Sequence, residues 1–142
     1  MEVTERFGAG SIQSNGNLGS LTVGGDIKGG KGDHTGKVSV FGNSGKIHVL
    51  GSVLGGAGGS AGNVSVEKSR ASLTIDGELV GGTTAASYKS GYIHVGGALG
   101  PVAVNGNMKG GLGEFSGVID VDGAANDTVF LGLTGDFMLH EI

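Results

Sequence analysis

The sequence predicts an all-β, single-domain parallel β-helix (β-solenoid) of about five rungs, each of about 26 residues with three short strands. Three observations predict it. Two short apolar motifs recur along the chain at nearly constant spacing. Each alternates apolar and other side chains with a period of two. Glycine, 33 of the 142 residues, fills fixed columns between them.

The first motif reads Ile12-Gln13-Ser14, Val38-Ser39-Val40, Val64-Ser65-Val66, Ile93-His94-Val95 and Ile119-Asp120-Val121, at spacings of 26, 26, 29 and 26. The second starts 9 residues later in four copies, at Leu21, Ile47, Leu73 and Val102, and 12 later in the fifth, at Leu131. It runs as apolar-x-apolar-x-Gly-x-apolar, ending at Ile27, Val53, Leu79, Met108 and Phe137. Period-two alternation marks a half-buried strand rather than a helix. Of 25 inward positions, five per rung, 24 are Val, Ile, Leu, Met or Phe, and Ser14 is the exception. The middle position of the first motif is polar in every copy, so one face turns to a core and the other to water.

Gly25, Gly51, Gly77, Gly106 and Gly135 hold one column, and Gly-Gly pairs at 29–30, 55–56, 81–82 and 110–111 hold another. Glycine reaches positive φ without steric cost, which predicts tight corners there. A rung then reads strand, Gly corner, short strand, Gly-Gly corner, loop, strand, turn. No apolar stripe of helical spacing persists. A β-prism or a sandwich of hairpins fits less well, because hairpins do not require constant spacing. Loops after the Gly-Gly corner have five residues at 31–35, 57–61 and 112–116 but eight at 83–90, and a second insertion is expected within 122–130. The expected organisation is an N-terminal cap or tail over 1–9, solenoid repeats over 10–137 and a C-terminal tail over 138–142.

The pattern Gly-x-Val-x-Val…Leu-x-Val-x-Gly-x-Leu-x-Gly-Gly, covering residues 10 to 137, resembles the Gly-rich β-helix repeats of large bacterial surface proteins, such as filamentous-haemagglutinin-like adhesins and autotransporter passengers. The resemblance implies a secreted or surface fibre, hence an extracellular or cell-surface location. Bactofilins, intracellular filament proteins with a β-helix fold, are an alternative, with shorter and less glycine-rich rungs. Residues 1–6 show neither a basic nor an apolar signal region, so a fragment or an intracellular location is the alternative expectation.

A net charge of −4 without a basic stripe argues against nucleic-acid binding. No apolar run is long enough for a transmembrane helix. Without cysteine there are no disulfides, thiolate metal sites or Cys nucleophiles.

The functional expectation is a non-catalytic rod that self-assembles end to end. The terminal rungs would form the interface: Ile12, Leu21 and Ile27 at one end, Leu131, Leu133, Phe137 and Leu139 at the other. Phe7 is placed to plug the first rung, and Leu50, Leu54, Val80 and Met138 to support lateral association. The alternative is an adhesin-like module whose loop residues Tyr88 and Lys89, with Phe115, contact a glycan or cell surface. Asp120, Asp122 and Asp127 form a weak candidate for Ca2+ with oxygen ligands. His94 and Asp120 share an outward column, about 5 Å apart by strand spacing; a His beside a carboxylate suits a general base, but no nucleophile or second acid accompanies the pair. Asp76 and Glu78 flank one corner without a matching pair on adjacent rungs. His48 is alone in its column and is expected to be exposed. Polar residues at Asp26, Ser52, Glu78, Asn107 and Asp136 are expected to bond local backbone at their corners.

Overall fold

The computed structural model describes residues 10–123, 128–130 and 139–141, the last two segments by their backbone. Every described element is a strand. The first turn consists of β1 (Ile12–Ser14), β2 (Leu18–Val23) and β3 (Ile27–Lys28). The second is β4 (Lys37–Val40), β5 (Ser44–Val49) and β6 (Val53–Leu54), and the third is β7 (Asn63–Val66), β8 (Arg70–Ile75) and β9 (Leu79–Val80). The fourth is β10 (Tyr92–Val95), β11 (Val102–Val104) and β12 (Met108–Lys109). A fifth turn opens with β13 (Val118–Val121) and β14 (Thr128–Phe130), and β15 (Leu139–Glu141) follows.

The strands stack into three parallel sheets, ordered β1-β4-β7-β10-β13-β15, β14-β11-β8-β5-β2 and β12-β9-β6-β3. This is a parallel β-solenoid of four complete three-strand turns, with a fifth begun. The registers follow the sequence columns: Ile12 pairs with Val38, Val38 with Val64, Val64 with Ile93 and Ile93 with Ile119. The eight-residue loop therefore bulges outward without shifting any strand.

Alternation fills the interior. Ile47, Val49, Val53, Val64, Ile75, Leu79, Ile93, Val104, Met108 and Ile119 are fully buried and form one continuous core. In the first turn Ile12, Leu21 and Val23 are only partly buried against it. Ser14, at the one polar inward position, is buried, and its hydroxyl donates to the Gly16 carbonyl at 3.2 Å.

Three expectations need correction. The fifth copy of the second motif is Thr128–Phe130, in register with Val102–Val104, rather than the segment at Leu131. The 9-residue offset thus holds in all five turns, and 122–130 carries no insertion. Residues Leu131, Leu133 and Phe137 lie outside the described residues, as do Phe7, Met138 and Asp127. Second, Leu139–Glu141, expected in a C-terminal tail, adds a sixth strand to the first sheet, with Leu139 beside Ile119.

The third concerns glycine. The corner glycines 25, 51, 77 and 106 do not have positive φ; Gly10, Gly36, Gly62, Gly91 and Gly117 do, each just before or near the start of a first-sheet strand. At the corners the constraint is contact with the turn beneath. A Cβ at Gly51 would strike Asp26 Oδ1 and lie 2.7 Å from the Gly25 carbonyl carbon. A Cβ at Gly45 would strike the Gly19 carbonyl oxygen. Gly16, Gly19 and Gly25 belong to the same columns in the first turn, yet among the described residues an added Cβ there meets nothing within 4 Å.

Polar corner residues also bond between turns rather than within their own corner. Asp26 Oδ1 accepts from Ser52 N at 2.7 Å, and Ser52 Oγ accepts from Glu78 N at 2.9 Å. A parallel relay links Asn17 Oδ1 to Asn43 N at 2.9 Å and Asn43 Oδ1 to Ser69 N at 3.2 Å. Each side-chain oxygen satisfies a corner N–H that the ladders leave unpaired.

Truncating Leu73, 1% exposed, to Ala should cost about 2–5 kcal/mol in urea unfolding. Leu21→Ala, in the same column of the less enclosed first turn, should cost less than half as much. Equal costs would contradict a core that closes only from the second turn inward.

Candidate functional site

Loop 83–90 joins β9 to β10, beside the outward face of the first sheet. Its Tyr88 and Lys89, and Phe115 of the equivalent loop one turn on, are placed by local backbone geometry. Lys89 and Phe115 occupy equivalent positions two residues before Gly91 and Gly117, with φ of 51° and 55°; His34 and Ser60 do the same in the turns below, at 61° and 53°. This left-handed conformation is costly for non-glycine residues. It recurs because successive loops pair through it: Ser60 N donates to the Tyr88 carbonyl at 2.7 Å and Lys89 N to the Glu114 carbonyl at 2.9 Å.

The structure brings Tyr88, Lys89 and Phe115 together. The Tyr88 and Phe115 rings meet edge to face, with centroids 5.9 Å apart. Lys89 Nζ lies 5.4 Å from the Tyr88 ring centroid and 5.2 Å from that of Tyr92, within cation–π range. Tyr88 and Phe115 remain 44% and 43% exposed.

Tyr92 was not singled out in the sequence, although the outward column Lys37, Asn63, Tyr92, Val118 carries it. It joins the loop cluster to a groove of about 280 Å³ across β4, β7 and β10, lined also by Lys37, Asn63, Ser65, Glu67 and His94. Asn63 is 4% exposed. Its Nδ2 donates to the Lys89 carbonyl at 3.3 Å, while its buried Oδ1 has no hydrogen-bond partner. Burial lowers the pKa of Lys37, nearby Glu67 opposes that, and Lys89 adds to it.

Beyond the groove, His94 and Asp120 are register partners, as their shared column predicts, and His94 Nδ1 lies 3.3 Å from Asp120 Oδ2. The Tyr92 hydroxyl donates to the same Oδ2, and the Tyr92 and His94 rings stack at 6.3 Å with planes 7° apart. Burial first, and the Asp120 carboxylate second, push the Tyr92 pKa well above its ordinary value. Asp122 joins this pair: His94, Asp120 and Asp122 each place a ligand atom within 4.8 Å of the others.

The other titratable candidates separate. His48, flanked in its column by Thr22 and Thr74, has a partner outside it: its Nε2 lies 2.9 Å from Asp76 Oδ2. Asp76 also accepts from Asn105 Nδ2 at 3.3 Å. Glu78 accepts from Lys109 Nζ at 3.0 Å and Asn107 Nδ2 at 2.9 Å, and these bonds lower its pKa. The two carboxylates flanking Gly77 thus serve different inter-turn pairings.

At the opposite end, Ile12 and Ile27 line a recess of about 220 Å³ with Val23, Asp26, Lys28 and Val38. Among the described residues, β1, β2 and β3 are each the edge of their sheet. Of the expected lateral apolar residues Leu50 is 48% exposed; Phe41 at 48% and Leu112 at 74% join it.

No helix among the described residues is long and apolar enough to cross a membrane. No protein-family model, curated protein or solved structure matches the chain.

Because folding raises the Tyr92 pKa, its contribution to stability is intact below about pH 10, the ordinary tyrosine value, and is lost as pH rises beyond it. In a Tyr88→Phe chain Tyr92 is the only tyrosine, since the sequence has two. Its phenolate absorbance should appear above pH 10 only together with loss of the β-sheet circular dichroism. Ionisation near pH 10 in the folded chain would contradict the Asp120 contact.

Proposed function

We propose that the protein is a non-catalytic structural rod whose solenoid is extended by a second copy stacking on the first turn, as a bacterial surface or extracellular filament would require. The carrying observation is the set of first-turn glycines. Gly45 and Gly51 must lack a Cβ because a turn lies beneath them. Gly19 and Gly25 keep the same residue, yet among the described residues an added Cβ there meets nothing within 4 Å. Edge strands β1, β2 and β3 offer unpaired ladder groups on that side among the described residues. Partly buried Ile12, Leu21 and Val23 offer apolar surface there as well.

The loop face supports a second reading, an adhesin-like module for a glycan or cell surface. The exposed rings of Tyr88 and Phe115 stand beside a groove lined by Lys37, Lys89 and Asn63. Rings suit sugar faces, and lysine and amide groups donate to sugar hydroxyls.

Electron micrographs of negatively stained protein over a range of concentrations test the first reading. The parent chain should form fibres one or a few solenoids wide. A Gly19→Ala/Gly25→Ala chain should keep its circular dichroism and melting temperature but remain as short particles. Short particles from the parent at every concentration, or unchanged fibres from the variant, would refute stacking at this turn. For the second reading, Tyr88→Ala should reduce binding to an immobilised glycan panel at least tenfold without affecting fibres; retained binding would remove the loop from the site.

A further inference from the structure

We infer that His94, Asp120 and Asp122 form a binding site for a divalent transition-metal ion of the zinc class, bridging the fourth and fifth turns. One donor atom from each residue already lies within 4.8 Å of the other two. A modest contraction brings three such atoms around one ion, whose bonds to imidazole nitrogen and carboxylate oxygen are about 2.0–2.2 Å. The parallel ladder creates this proximity. Asp120 sits directly beside His94 on the next strand, and Asp122 follows two residues later, just past the end of β13.

The donors are held and accessible. The Tyr92 hydroxyl anchors Asp120, and the Tyr92 ring stacks on the His94 imidazole. Partners of this kind orient metal ligands before an ion arrives. The His94 and Asp120 side chains are 22% and 18% exposed, so an ion can enter from solvent.

Backbone pairing adds an independent observation. The sheet continues past Asp120, and the register partner of Asp120 on β15 is His140. A second imidazole-bearing residue therefore occupies the next place in the column that contains His94 and Asp120. An imidazole beside two carboxylates suits zinc, nickel or copper better than calcium, which prefers oxygen donors alone. The expectation of an oxygen-only site at Asp120, Asp122 and Asp127 changes accordingly: Asp127 is outside the described residues, and an imidazole takes part. The site does not depend on end-to-end stacking or glycan binding.

Calorimetric titration of the full, untagged chain with ZnCl2 tests the site, with CaCl2 as comparison. Zinc should bind one ion per chain and raise the melting temperature by about 5 °C at saturating concentration, and calcium should bind at least tenfold more weakly. His94→Ala and Asp122→Asn should each weaken zinc at least tenfold. His48→Ala, which removes a histidine paired with a single carboxylate, should leave zinc affinity unchanged. No saturable zinc binding, calcium bound as tightly as zinc, or zinc affinity that follows His48 rather than His94 and Asp122 would overturn the proposal. Two variants on different turns keep the test decisive should one of them fold poorly.

Discussion

Successive turns lie one strand spacing apart, about 4.8 Å, so every residue must tolerate its equivalents at that distance above and below. This constraint sorts the side chains. Inward columns hold aliphatic groups, which pack on their own kind and close the core. Where backbone approaches backbone at a corner, only hydrogen fits, and the column is glycine. Where a corner leaves an N–H unpaired, the column offers an oxygen, as Asp26 does to Ser52 and Ser52 to Glu78. Like charges stacked directly would repel; Asp26 is followed by Ser52, and Glu78 by Asn107, which donates to it.

Strain is concentrated where the candidate loop residues sit. His34, Ser60, Lys89 and Phe115 adopt positive φ without being glycine, at about 1–2 kcal/mol each. The inter-loop backbone bonds hold them there. A glycine would relieve the strain but present no side chain. At 89 and 115 the side chain is what assembles the cation–ring cluster, and strained backbone tends to gather at positions used for binding.

Much of this was legible in the sequence because a solenoid converts long-range contacts into a period. The registers of β1 to β13, the 29-residue third interval and the proximity of His94 to Asp120 all follow from alignment of the copies. The differences have equally local causes. The glycine column points to Gly135 and so to Leu131, whereas ladder pairing keeps the 9-residue offset and places Thr128 in the apolar column. At the corners glycine answers to close approach rather than to conformational freedom. His48–Asp76 was missed because the pairing is diagonal: His48 has Thr74 as its register partner and reaches two residues farther along. Tyr92 immediately precedes the Ile93-His94-Val95 motif, outside the alternating positions that mark the columns, so the repeat alone does not single it out.

The corner relay has a direction. Oxygens of each turn accept from N–H groups of the turn after it, as at Asn17–Asn43 and Asp26–Ser52, and every strand pairing is parallel. The two ends of the solenoid are therefore chemically unlike. Two copies meeting first turn to first turn would run their strands in opposite directions and break the relay. Copies stacked along the axis with the relay intact must follow one another head to tail. Such a contact has no twofold axis and, along a straight solenoid, no closure to limit growth. The resulting filament would be polar, with one end that presents acceptors and another that requires them.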